Sequence, residues 1–141
     1  MSPRAARLFE NILLFAADED DDAFEYDYKL KRLPDLARRV TVYHNSGDKA
    51  LIISDITKGN PDRLGAGGPR NSRILPDKVT VVNVEPVLTI ADDITSHNYY
   101  LSDETVRQDV ISVLNGTEPQ DIKIREYQSE LRTYRLKKKS V

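Results

Sequence analysis

The chain has 141 residues, 39% of them hydrophobic and 31% charged, with a formal net charge of -2. This length suits one domain, and the balance excludes both a disordered segment and a global electrostatic pull on nucleic acid. The absence of cysteine excludes a disulfide framework, a thiolate zinc site and a cysteine nucleophile, and it fits a cytoplasmic location.

Arg4 and Arg7 precede the apolar run Ile12 to Ala17, an arrangement that loosely mimics a signal peptide. The run is too short for one, and Glu10 interrupts the approach to it. Residues 11–17 instead predict a strand buried on both faces, as in a parallel sheet. No segment reaches the roughly 20 apolar residues that span a bilayer. An acidic run follows, with Asp18, Asp20, Asp21 and Asp22. Pro34 and Asp35 predict a helical turn around Leu36, Ala37 and Arg38. The β-branched and aromatic residues 39–44 predict a second strand, the turn Asn45 to Asp48 follows, and residues 49–57 read as a short helix. Residues 59–73 are too rich in glycine and proline for helix or strand. A third strand is expected over 78–84, then a long connection containing His97. Leu101, Val106, Val110, Val113 and Leu114 recur at helical spacing, with Ser102 or Asp103 as cap and Gly116 as terminator. Residues 117–141 are polar and become basic, which predicts a frayed, solvated end. Strands alternating with helices predict an α/β protein, three-layer α/β/α with a mainly parallel sheet.

In such sheets chemistry collects beyond the carboxyl ends of the strands. Asp48 follows the second strand and His97 follows the third. Acid and then histidine is the second half of the chain order of a serine triad, in which the carboxylate orients the imidazole and the imidazole takes the serine proton. On spacing alone, Asp48 also reads as a helix N-cap and His97 as a surface-loop histidine. His44, at the end of its strand, is a weaker candidate.

The stretches AADEDDDAF (16–24), RRVTVYHNSGDKAL (38–51), DRLG (62–65), VTVVNV (79–84) and SHNYYLSDETVRQDVISVL (96–114) resemble the closing segments of a bacterial family of α/β-hydrolases of uncharacterised substrate. The resemblance covers residues 11–115. It implies a partial α/β-hydrolase fold over residues 1–116, with 117–141 as a tail. It also implies esterase- or lipase-like hydrolysis, with Asp48 as the triad acid and His97 as the triad base. The family's nucleophile elbow, G-x-S-x-G, precedes the segment matching 11–17, and no such motif occurs in the sequence. The chain thus reads as a fragment, inactive alone, whose first strand lacks a neighbour. An open apolar edge of this kind predicts a homodimer or pairing with the missing N-terminal half.

Two other readings stand beside this one. In one the chain is a degenerate hydrolase module that binds a partner; in the other the acidic run 18–22 is a carboxylate site for Mg²⁺-dependent phosphoryl transfer. The Gly65–Gly68 loop lacks the ending of a phosphate-binding loop. Asn115-Gly116-Thr117 matches a glycosylation sequon, but helix termination explains it. No cofactor, nucleic acid partner or membrane span is expected.

Overall fold

The computed structural model describes residues 7–15, 23–27, 29–45, 64, 68–69, 71–88 and 103–138. Three strands follow one another in the first part of the chain: β1 (Phe9–Phe15), β2 (Ala37–His44) and β3 (Val79–Asn83). They pair in parallel, Phe15 beside Tyr43 and His44 beside Asn83. Helix α1 (Glu104–Leu114) and the strands β4 (Arg125–Gln128) and β5 (Thr133–Leu136) complete the chain. Among the described residues the sheet has five strands in the order β1-β2-β3-β5-β4; β5 runs parallel to β3, and β4 antiparallel to β5. The fold is α/β, as the alternation of elements predicts.

Successive strand residues point to opposite faces, so each face collects its own core. One face buries Tyr43, Val82 and Leu136 against Val106 of α1, with Leu13, Phe15 and Val110 packed around them. The other buries Val40, Val42 and Val79 with Phe24 and Leu64, and Ile12 and Leu14 pack alongside. Burying a valine of this kind contributes about 1.5–3 kcal/mol relative to exposure.

Helix α1 begins where the sequence signals it. The Asp103 side chain accepts the Val106 amide at 2.9 Å, satisfying one of the free amides of the first turn. Its other end stops at Gly116, whose φ of 83° lies in the left-handed region that glycine enters without steric cost. Val106 and Val113 are buried as their spacing predicts, whereas Leu114 is exposed.

Other expectations require correction. β1 is not buried on both faces: Phe9 is exposed and Ile12 to Phe15 are only half-buried, because β1 lies at the end of the sheet. The turn near Pro34 is a short 3-10 segment, Leu33–Leu36, and Ala37 and Arg38 already belong to β2. The frayed end expected over 117–141 is not what residues 119–136 form. Pro119–Asp121 is a 3-10 turn, and β4 and β5 enter the sheet beside β3. Arg125 and Thr133 are buried there along with Ile122 and Leu136. The period-two signal was hidden because β4 and β5 are only four residues each, and in β4 the charged Arg125 takes the buried position while Tyr127 is exposed. Further ties come from Glu118, which pairs with Arg38 and Arg39 of β2, and from Arg132, which donates to the Arg73 carbonyl at 3.0 Å. The helix expected over 49–57, most of the 59–73 loop, Leu101 and Ser102 lie outside the described residues.

Candidate active site at the carboxyl ends of the parallel strands

The carboxyl ends of β2 and β3 lie at one level, and the Val84 amide donates to the His44 carbonyl at 3.0 Å. Asn45 continues from β2 and is buried. The Asn83 side chain accepts the Glu85 amide at 3.1 Å and turns the chain as it leaves β3. Gly68 sits against the His44 ring, where a Cβ would lie 3.1 Å from Cδ2, and its φ of 78° also favours glycine. His44, Gly68, Val81, Asn83, Gln128 and Thr133 line a pocket of about 340 Å³. His44, the weaker candidate of the sequence, therefore stands at the end of β2 and lines this pocket, whose walls are part polar and part apolar.

Asp48 and His97 lie outside the described residues, as does the acidic run Asp18, Asp20, Asp21 and Asp22. The described elements mark where the two flanking segments depart and return. The chain leaves β2 at His44, four positions before Asp48, and enters α1 at Asp103, six positions after His97.

Beneath these ends lies a buried polar cluster outside the residues expected from the sequence. The Tyr43 hydroxyl donates to Asp109 Oδ1 at 2.7 Å. Arg125 donates to the same carboxylate twice, through Nε to Oδ2 and Nη2 to Oδ1, each at 2.7 Å. Tyr43 and Asp109 are fully buried and Arg125 nearly so. Burial, reinforced by the Asp109 charge, raises the Tyr43 phenol well above its ordinary value, so it remains a donor. Burial works against the Arg125 cation, but the hydrogen bonds and charge of Asp109 outweigh it and its pKa is raised. Tyr43 stacks on Phe15 with ring centroids 4.9 Å apart, and the Arg125 guanidinium lies 5.4 Å from the Tyr134 ring centre. One signal for this cluster was legible. Asp109 falls within the apolar stripe Val106, Val110, Val113, where a carboxylate needs a partner. Nothing in the spacing named Arg125 as that partner.

A parallel α/β sheet with connections leaving the carboxyl ends of β2 and β3 is the frame of several enzyme families. A model of the family described as alpha/beta hydrolase of unknown function (DUF900) matches residues 2–114. The chain belongs to this family. The family match ends at the last residue of α1, so the β4–β5 hairpin, Arg125 included, lies beyond it. No curated protein and no solved structure matches the chain. Among the described residues of this hydrolase-family chain, no helix is long and apolar enough to cross a membrane.

Proposed function

We propose that this chain supplies the acid and the histidine of a Ser–Asp–His triad for ester-type hydrolysis in the cytoplasm, with Asp48 as the acid and His97 as the base. The observation that carries the reading is the adjacency of β2 and β3 as parallel strands in a chain of this hydrolase family. Asp48 follows the carboxyl end of the first and His97 follows that of the second. The Asp48 carboxylate would accept a hydrogen bond from one ring nitrogen of His97 and stabilise the imidazolium. The other ring nitrogen would take the proton of a serine hydroxyl as that oxygen attacks the ester carbonyl. The 141 residues contain no G-x-S-x-G, so in this reading the serine is carried by another segment. That segment would pair a strand with the outer edge of β1, which among the described residues pairs with β2 alone.

The acid–histidine pair is tested by proton NMR titration of the His97 ring. With only two histidines in the chain, His44→Gln leaves a single imidazole signal. Adding Asp48→Asn should lower the titration midpoint of His97 by about one unit or more, because a nearby carboxylate favours the imidazolium. An unchanged midpoint rules out the pair. A fluorophosphonate probe should not label the chain by itself, and labelling would place a nucleophile within it.

A further inference from the structure

We propose that the buried Tyr43–Asp109–Arg125 cluster is a positioning device for the acid–histidine pair, locking the end of β2 against the helix that follows the His97 segment. The inference rests on the reading that Asp48 and His97 work together.

Four observations carry it. Tyr43 is the penultimate residue of β2, and Asp48 comes five positions later. Asp109 lies in the second turn of α1, whose cap, Asp103, receives the chain from His97. The connections bearing the acid and the histidine are thus rooted on two elements, and the Asp109 carboxylate bridges these elements through the 2.7 Å hydrogen bond that Tyr43 donates, while Arg125 of β4 holds the same carboxylate. The bridge is also directional. A forked guanidinium fixes the plane of the Asp109 carboxylate, and the Tyr43 hydroxyl then meets one of its oxygens. α1 can neither slide along β2 nor rotate without breaking a bond whose partners have no water to turn to.

The energetics point the same way. An apolar trio of similar volume would hold a helix on a sheet at least as well as a buried ion pair does. Stability alone therefore gives little reason for an acid inside the apolar stripe of α1. Geometry gives a reason, because displacing a catalytic group by about 1 Å costs on the order of a hundredfold in rate. The third member, Arg125, comes from the hairpin beyond the family match, so this chain's own C-terminal segment completes the lock.

The experiment is the His97 titration of the full chain, in the His44→Gln background, repeated in two variants. Tyr43→Phe removes one hydroxyl and leaves the ion pair intact. Asp109→Leu with Arg125→Met removes the ion pair without stranding either charge. If the cluster positions the pair, the drop in midpoint caused by Asp48→Asn should shrink to less than half in both variants, while far-ultraviolet circular dichroism and cooperative unfolding are retained. An undiminished drop in folded variants overturns the proposal, since a cluster serving only stability would leave the coupling untouched. Should the double variant fail to fold, Tyr43→Phe decides alone. If Asp48→Asn has no effect in the background chain itself, the acid–histidine reading has failed first, and the positioning role falls with it.

Discussion

Tyr43 shows how one residue can serve packing and electrostatics at once. Its ring belongs to the core beneath α1, and its hydroxyl meets Asp109. Burial and the neighbouring carboxylate hold its pKa above the ordinary value of 10.0. In the unfolded chain the phenol ionises near that value, whereas in the folded chain it keeps its proton. The stabilisation is therefore fully present below about pH 10 and is lost as the pH rises beyond it. Urea unfolding between pH 10 and 12 should show stability falling more steeply in the natural chain than in Tyr43→Phe. The difference in slope should be about 1.4 kcal/mol per pH unit. Equal slopes would mean that the phenol is not held protonated.

Among the elements, the β4–β5 hairpin departs furthest from what its residues announce. It lies beyond the family match and ends in a run of basic residues, yet it extends the sheet past β3 and buries Leu136, Thr133 and Arg125. Removing residues 117–141 would expose the edge of β3 and leave Asp109 buried without its cation. Stranding one member of a buried pair costs about 3–5 kcal/mol, a large part of the roughly 5–15 kcal/mol that holds a domain together. Residues 1–116 alone should therefore lose cooperative unfolding in a urea titration followed by circular dichroism. A truncated chain that unfolds cooperatively at the midpoint of the full chain would show the hairpin to be dispensable. Helix α1 is the contrasting case, because its cap, its apolar spacing and its terminating glycine are local and were legible in sequence.

For the whole molecule, the two ends of the sheet differ. β4 closes one end with short, charged residues such as Glu126, which pairs with Arg135 at 2.8 Å. β1 forms the other end, with Phe9 exposed, Leu8 exposed beside it, and Ile12 to Phe15 half-covered. An apolar edge invites a further strand, whereas charges blunt one. Sedimentation velocity should accordingly show the chain associating as concentration rises, and a monomer stable at high concentration would count against that edge as a docking site. The sequence by itself determined the α/β class, the three parallel strands and helix α1, because period, caps and turn residues act over a few positions; the hydrolase family was legible only through the resemblance of whole segments. Only the tertiary structure decided that β1 is half-covered and not buried on both faces, that the supposed tail is part of the sheet, and that Asp109 is answered by Arg125 and Tyr43. The reason is physical: burial and pairing depend on which segments meet across the sheet, and the spacing of residues along one segment carries no record of what will face it.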